Sequence, residues 1–112
     1  MAVRMTKPWR PLTVDQAKLL SGNLGVYQLA DDAGEIVYIG AATGLSLFGL
    51  RGEVIAKAEA PPAGATQFRV EVNTSYRTRH GELLAAYIHD HGRLPVGNDD
   101  VDQSRLGRLS PG

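Results

Sequence analysis

The stretch Gly25-Val-Tyr-Gln-Leu-Ala-Asp-Asp-Ala-Gly-Glu-Ile-Val-Tyr-Ile-Gly40 organises the rest of this chain. It holds most of two apolar runs, residues 24–30 and 35–39, which an Asp/Gly-rich break separates. Strand-forming residues on both sides of such a break are typical of a β-hairpin. We therefore expect a pair of antiparallel strands at the centre of the fold.

The two tyrosines of this stretch are the first candidates for a functional site. An even-numbered loop centred on residues 32–33 predicts that Tyr27 lies directly opposite Tyr38, and that Gly25 lies opposite Gly40. Directly opposed residues point to the same face of a sheet, so the two phenol hydroxyls would lie side by side. The glycine pair would leave room for an approach to the backbone. The simpler alternative is an aromatic pair that only stabilises the hairpin.

Composition narrows the class of protein. With 112 residues the chain is long enough for one domain. Its 12 Lys and Arg residues balance 12 Asp and Glu residues, which argues against a strongly basic, non-specific DNA-binding protein. The absence of cysteine excludes disulfides, thiol catalysis and zinc–thiolate sites. No apolar run is long enough to cross a membrane and no signal-peptide pattern begins the chain, so we expect a cytoplasmic protein with no membrane partner.

The remaining sequence predicts a small α+β domain over residues 8–98, with a flexible N-terminal arm at 1–7 and an acidic, disordered tail at 99–112. Apolar and polar residues alternate over 68–72, as in a half-buried third strand. Helical signals occupy three further segments, at about 13–20, 46–60 and 79–91. Thr13 is the expected N-cap of the first helix, Leu47, Leu50 and Val54 lie on the apolar stripe of the second, and Gly92 is the expected stop of the third. We therefore expect a small three-stranded antiparallel β-sheet flanked by helices.

Two charged residues on the predicted helices are open to two interpretations each. Arg51 lies on or at the edge of an apolar stripe that begins at Leu47, so its guanidinium must either extend into solvent or meet an anion. Glu82 lies nearly opposite the apolar stripe of the last helix, in its first turn. It either faces solvent, where the helix dipole favours a carboxylate, or turns towards the tyrosines because Ala85 and Ala86 allow close packing.

Three other segments lack the residues or the spacing that known binding motifs require. The loop 41–44 lacks the Gly-Lys-Ser/Thr ending of a phosphate-binding P-loop. His89 and His91 diverge on a helix and cannot bind one metal ion together. The acidic run 99–102 lacks the glycine and the distal glutamate of an EF-hand loop. None of these motifs predicts a site.

The order and spacing of the remaining features resemble the GIY-YIG nuclease superfamily. That family has a Gly-Ile-Tyr strand, a Tyr-Ile-Gly strand after a short loop, an arginine on the next helix, a glutamate on a later helix and an asparagine near the domain end. This chain offers, in the same order, Gly25-Val26-Tyr27, Tyr38-Ile39-Gly40, Arg51, Glu82 and Asn98. The resemblance extends over residues 9–98 and is closest to a small single-domain bacterial branch. Two departures are a valine in the first motif and an arginine that lies eleven residues after the second.

The resemblance implies an endonuclease that hydrolyses phosphodiester bonds in nucleic acid, with DNA as the favoured partner and one Mg²⁺ (or Mn²⁺) ion as cofactor. Glu82 would be the only protein ligand of the ion, and Arg51 would contact the scissile phosphate. Tyr27 would accept a proton from the attacking water, provided that Tyr38, Arg51 and the metal ion lower its pKa from the ordinary value of about 10. Asn98 would position Glu82 or a backbone segment.

Further nucleic-acid contacts would come from the backbone at Gly25 and Gly40 and from a local basic patch. Because the net charge is zero, such a patch must supply the affinity, and its candidates are Arg69, Arg77, Arg79 and Arg93. Two other functions stay open: a catalytically silent module of this fold that binds nucleic acid or a protein partner, and a purely structural domain. Cutting both strands of a duplex would need two sites, which makes a homodimer an option that no interface pattern in the sequence supports.

Overall fold

A computed structural model describes residues 4–98 and shows an α+β fold. The predicted tail at 99–112 lies outside the described residues, as do residues 1–3. Within the described range, no helix is both long and apolar enough to span a membrane. The elements follow in the order β1 (Arg10–Pro11), α1 (Val14–Ala17), β2 (Gly25–Ala30), β3 (Ile36–Ala42), α2 (Gly49–Glu59), a 3₁₀ turn (Pro62–Gly64), β4 (Gln67–Val72) and α3 (Tyr76–His91).

The sheet has four antiparallel strands in the order β1-β4-β2-β3, so the predicted count of three is wrong. The additional strand is β1, where Arg10 pairs with Phe68 and Pro11 pairs with Gln67. Proline has no backbone N–H, and an edge strand is the place where a sheet tolerates that loss. A strand of two residues is too short to show alternation, which is why the sequence did not predict it.

The predicted hairpin is present, but its register differs by two residues. The predicted pairs Tyr27–Tyr38 and Gly25–Gly40 are wrong: Tyr27 lies opposite Gly40, and Tyr38 lies opposite Leu29. The difference arises because the loop has five residues, 31–35, and a β-bulge after Leu29 adds a further one. A shift by two residues leaves every side chain on its original face. The two tyrosines therefore still point to the same side of the sheet.

The start of α2 is fixed by tertiary contacts. Phe48 has a left-handed backbone with φ 64°, so the helix begins after it and not near residue 46. The first N–H groups of the helix donate to carbonyls of the loop 21–23. Leu47, expected on the buried stripe, lies before the helix and is exposed, whereas Leu50 and Val54 are buried as predicted.

The other two helices differ from the prediction mainly in length. α1 begins after the expected N-cap at Thr13, whose hydroxyl accepts a backbone hydrogen bond, but it ends early, at Ala17. α3 begins three residues before the predicted start, at Tyr76, and runs to His91. The predicted stop at Gly92 is confirmed by its left-handed φ of 74°.

Both faces of the sheet are covered. On one face, Tyr27, Leu29 and Phe68 pack against α2, and on the other face, Val26 and Ile39 pack against α3. These side chains are almost fully buried, and each contributes roughly 1.5–3 kcal/mol by leaving water. Since β3 is the last strand of the sheet, its outer edge lies between the two helices.

Part of the predicted N-terminal arm packs onto this core. Met5 is buried in the cluster that contains α3, and Arg4 donates two hydrogen bonds to the Asp90 carboxylate, at 2.6 and 2.8 Å. The ion pair is exposed, so it contributes little by itself. Burial of Met5 is the stronger of the two contacts.

Candidate functional site

A cleft of about 890 Å³ runs along the outer edge of β3, between α2 and α3. The sheet contributes both tyrosines to its walls, α2 contributes Glu53 and Lys57, and α3 contributes Arg77 and His80. Among the described wall residues, two permanent cations therefore accompany one carboxylate. The cleft is thus polar and locally positive in a chain of zero net charge.

Glu53 lies at the centre of a chain of hydrogen bonds. The Tyr27 hydroxyl donates to Oε1 at 3.0 Å, and the Ser46 hydroxyl donates to Oε2 at 2.7 Å. Ser46 Oγ in turn accepts a hydrogen bond from the backbone N–H of Thr43, at 2.9 Å. None of the ion pairs within residues 4–98 involves Glu53, whose hydrogen-bond partners there are two neutral hydroxyls.

The two tyrosine rings lie diagonally across the hairpin, on the same wall. Their centroids are 5.9 Å apart and their planes are tilted by 35°. The Lys57 ammonium lies over the Tyr38 ring, 4.7 Å from its centroid, in a cation–π contact. The expected proximity of Tyr27 and Tyr38 is therefore present, although through diagonal and not direct opposition.

Gly25 and Gly40, the glycines of the two motifs, allow close packing within the sheet. A Cβ on Gly40 would lie 2.4 Å from Cζ of Tyr27, so the glycine is what lets the Tyr27 ring cross the strand. The group that lies against the backbone at Gly40 is thus the Tyr27 ring. Gly25 lies elsewhere in the sheet, where a Cβ would meet the Glu71 carbonyl oxygen at 2.2 Å.

The protonation of Tyr27 is opposite to that expected from the sequence. Burial raises the pKa of its phenol above the ordinary value, and the neighbouring Tyr38 and Glu53 raise it further. The lowering expected from Tyr38 is wrong, because burial foremost, and then Tyr38 and the Glu53 carboxylate, disfavour the charged phenolate. Tyr27 is therefore neutral at pH 7 and acts as a hydrogen-bond donor.

Asn98 and His80 hold the outer edge of β3 at Ile39. The buried Asn98 amide accepts from the Ile39 N–H at 2.6 Å and donates to the Ile39 carbonyl at 2.8 Å, as a neighbouring strand would. His80 Nε2 lies 3.1 Å from the same carbonyl oxygen. Since a carbonyl only accepts, that nitrogen carries a proton, and in the neutral ring Nδ1 keeps its lone pair. The backbone segment that Asn98 braces is thus β3.

Arg51 and Glu82 are not brought to this cleft. Arg51 is exposed and precedes Glu53 by two positions, which places it about 200° away around the helix. Glu82 follows His80 by the same two positions, and its side chain is 48% exposed and accepts a hydrogen bond from Arg79 at 3.2 Å. Of the two orientations open to Glu82, the solvent-facing one is observed.

The predicted basic patch is dispersed. Arg77 lines the cleft. Arg69 packs on the ring of Trp9, with its guanidinium carbon 4.0 Å from the ring centroid, and Arg79 pairs with carboxylates. Arg93 is exposed and donates to a neighbouring backbone carbonyl. The local positive charge therefore comes from Arg77 together with a lysine that the sequence analysis did not single out.

Glu53 has the properties that a mostly hydrated Mg²⁺ ion requires. Within residues 4–98, no three His, Asp or Glu side chains form a group that could hold a metal ion. Mg²⁺ is commonly bound by one or two carboxylates, with water and substrate phosphate completing its octahedron. Each Glu53 oxygen accepts one hydrogen bond and keeps a second acceptor site, so Glu53 fits this role. Glu82 fits less well, because it lies outside the cleft and already accepts a hydrogen bond from the Arg79 guanidinium.

Sequence reasoning missed Glu53 and Lys57, although a signal for them exists. Leu50 and Val54 define the buried stripe of α2. At 100° per residue, Glu53 and Lys57 flank one edge of that stripe, and Arg51 flanks the other. The pattern of the helix alone does not tell which edge faces β3.

Together, the fold and the cleft define a small α+β protein with a polar site at the outer edge of its sheet. Residues 3–90 match the family model described as domain of unknown function (DUF7508), and the chain belongs to that family. The match includes Tyr27, Glu53 and His80. No curated protein and no solved structure matches the chain.

Proposed function

We propose that the cleft binds and hydrolyses a phosphodiester bond of nucleic acid, with DNA as the favoured substrate. The observation that carries the proposal is the Glu53 carboxylate, which two neutral hydroxyls hold in place and which takes part in none of the ion pairs within residues 4–98. Lys57 and Arg77 lie on the walls of the same cleft. A phosphodiester anion together with a divalent cation would satisfy both sets of charges. The resemblance to the GIY-YIG nucleases supports the same chemistry.

Phosphate binding falls to Lys57 and Arg77. Their cations come from two different helices, so a phosphate between them would bridge the cleft. Arg77 offers a planar fork of donors that matches two phosphate oxygens, and Lys57 offers a compact charge. Because the net charge of the chain is zero, this local pair supplies the electrostatic part of the affinity.

Glu53 would hold the Mg²⁺ (or Mn²⁺) ion, which when bound supplies Lewis-acid stabilisation of the charge that develops on the phosphate. The protein's own part is to orient the carboxylate. Tyr27 fixes one oxygen and Ser46 fixes the other, so the side chain cannot rotate without losing both hydrogen bonds. Such preorganisation removes the cost of reorientation when the substrate arrives.

His80 is the proton acceptor that we assign to the attacking water. Its Nε2–H is committed to the Ile39 carbonyl, which leaves Nδ1 as the acceptor in a cleft-lining ring. Tyr27 has a raised pKa and already donates to Glu53, so it serves as an orienting donor. Asn98 fixes the same carbonyl and thereby keeps the edge of β3, and His80 on it, in position.

A pair of matched variants tests this assignment. Glu53→Gln keeps the shape of the side chain and removes the charge inside the cleft, and Glu82→Gln makes the same change outside it. We expect metal-dependent nicking of supercoiled plasmid to fall by at least about 100-fold in Glu53→Gln, as for loss of a key charge-stabilising group, and by less than about threefold in Glu82→Gln. The assay uses Mg²⁺ and Mn²⁺, with EDTA as the metal-free control.

The opposite result, loss in Glu82→Gln alone, would return the metal ligand to α3 and overturn the assignment to Glu53. Equal nicking by all three proteins would show that the activity comes from a contaminant. Calorimetric titration of Mn²⁺ into the same proteins provides a second measurement, in which only Glu53→Gln is expected to lose metal binding.

A catalytically silent module that binds nucleic acid is the second candidate. Two observations favour it: Tyr27 is held neutral, and the described residues contain no group of three acidic or histidine side chains around a metal position. It predicts that wild-type protein binds oligonucleotides through Lys57 and Arg77 and nicks no substrate in any metal. The first candidate predicts binding and nicking together.

A further inference from the structure

The loop of residues 43–48, between β3 and α2, exposes an unusual amount of apolar surface. Three of its side chains are large and apolar, and they are 98% (Leu45), 76% (Leu47) and 73% (Phe48) exposed. Single exposed apolar residues are ordinary, but three within four consecutive positions form a patch. Leu45 also lines the cleft, so the patch is continuous with the proposed site.

This loop is built to hold its apolar side chains outward. Thr43 accepts hydrogen bonds from the N–H of Leu45 through its hydroxyl and from the N–H of Ser46 through its carbonyl. Gly44 N–H donates to the Tyr76 hydroxyl of α3, and Ser46 is tied to Glu53. The loop is therefore fastened to both helices of the cleft, so its exposed side chains are presented to whatever enters there.

We propose that this loop contacts unpaired bases next to the phosphodiester held in the cleft, so that the substrate is single-stranded or locally unpaired nucleic acid. The inference rests on the proposed function and adds the substrate class. A nucleotide joins an anionic phosphate to a flat apolar base. The cleft offers cations and the adjoining loop offers apolar side chains, which is the same combination.

Base pairing and stacking distinguish a duplex substrate from a single-stranded one. In a duplex the faces of the bases are covered by their neighbours, and an apolar side chain reaches them only after a base step has opened. Unpaired bases expose their faces at no such cost. A second protein surface fits less well, because three side chains are few beside the roughly 800 Å² that a stable interface takes from each partner.

Equilibrium binding, measured by fluorescence anisotropy, tests this inference. EDTA is present so that nothing is cleaved. Three labelled probes of equal length are compared: a single-stranded DNA, the same backbone without bases, and the paired duplex. The variant is Leu45→Ala combined with Phe48→Ala; both side chains are exposed, so the fold is retained. Ile88→Ala on α3 is the control, since its side chain is exposed and does not line the cleft.

We expect wild-type protein to bind the single strand more tightly than the abasic strand or the duplex. The double variant should lose about tenfold in affinity for the single strand, the size of one lost base stack, and nothing for the abasic strand. Ile88→Ala should match wild type with every probe.

Three results would overturn the inference. Equal wild-type affinity for the single strand and the abasic strand would show that bases are not contacted, while binding to the backbone would leave the proposed function intact. Unchanged single-strand affinity in the double variant, with a loss of self-association in sedimentation, would assign the loop to a second copy of the chain. No binding of any probe by wild type in EDTA, together with no nicking in Mg²⁺ or Mn²⁺, would remove the proposed function and this inference together.

Discussion

Two carboxylate networks flank the sheet, and they differ in what neutralises their charge. In the cleft, both oxygens of Glu53 accept hydrogen bonds from neutral hydroxyls. On α3, outside the cleft, Arg79 donates to Glu71 at 2.8 Å and to Glu82 at 3.2 Å. The first carboxylate is bonded only to neutral groups beside open space, and the second network shares one guanidinium between two carboxylates.

The hydrogen-bond partner of a carboxylate, and not its place in a motif, indicates its role. Arg79 lowers the pKa of Glu71, which means that the ion pair stabilises the folded state at neutral pH. A carboxylate used in this way has little left to offer a metal ion. Glu53 makes no such pair within residues 4–98, and it stays available to a ligand.

Alanine substitutions at two glycines, one in the cleft wall and one on α3, should give the clearest difference in stability between the two regions. Gly40→Ala places a methyl group 2.4 Å from the ring of Tyr27, in the cleft wall, and we expect it to lower the free energy of unfolding by about 1–3 kcal/mol through overpacking. Gly81→Ala lies beside Glu82 on α3, where nothing comes within 4 Å of the new methyl group. There the better helix former should raise stability, by up to about 1 kcal/mol.

Urea denaturation of the two variants measures this difference. The sign is the critical observation: Gly40→Ala should be less stable than wild type and Gly81→Ala more stable. Equal effects would mean that Tyr27 does not pack across Gly40, and the orientation of the Tyr27–Glu53 pair would then need revision.

Removal of Arg79 should weaken the fold and leave the cleft chemistry in place. We expect Arg79→Met to cost about 1–3 kcal/mol of unfolding free energy, because two carboxylates lose their partner. Glu71 has a pKa lowered from about 4.5, so its stabilising contribution is present above that pH and is lost as the pH falls through the lower, folded-state value. The stabilities of wild type and Arg79→Met should therefore converge in acid.

The same variant separates the two networks functionally. Arg79 does not line the cleft, so plasmid nicking at neutral pH and at a temperature where both proteins are folded should change little. A loss of nicking as large as that expected for Glu53→Gln would place the outer network in the active machinery.

Local chemistry made much of the fold predictable. Strand composition around Asp31–Gly34 predicted the hairpin, Thr13 predicted a helix start, and Gly92 predicted a helix end. The register was not predictable, because a bulge is an insertion that period-two alternation does not reveal. The start of α2 was not predictable either, since carbonyls from a distant loop determine it.

The candidate site was predictable most directly where its residues lie on the sheet. Tyr27 and Tyr38 come from the central hairpin, where alternate residues of a strand point to opposite faces of the sheet. On α2 and α3 the predicted Arg51 and Glu82 each lie two positions from a residue that lines the cleft, since the rotation of a helix about its axis depends on packing. A helical pattern narrows the choice to two edges, and tertiary contacts select one.

The smallest expected effect concerns the protonation of Tyr27. Its pKa is raised in the folded state above the unfolded value of about 10, so its contribution to stability is complete below that pH and is lost as the pH rises further. Tyr27→Phe should cost about 1 kcal/mol below pH 10, for the lost hydrogen bond to Glu53. Above pH 10 the free energy of unfolding should fall faster with pH for wild type than for the variant. The two slopes should differ by up to about 1.4 kcal/mol per pH unit.

Parallel denaturation curves of wild type and Tyr27→Phe across this alkaline range would show that Tyr27 is not held neutral by the fold. The pH profile of nicking adds an independent test of its role. A neutral donor gives no rise in rate that depends on Tyr27, whereas a phenolate base gives a rate that climbs towards pH 10 and does so only when Tyr27 is present. The first outcome keeps Tyr27 as the group that orients Glu53, and the second would make it the base and leave His80 without a proton to accept.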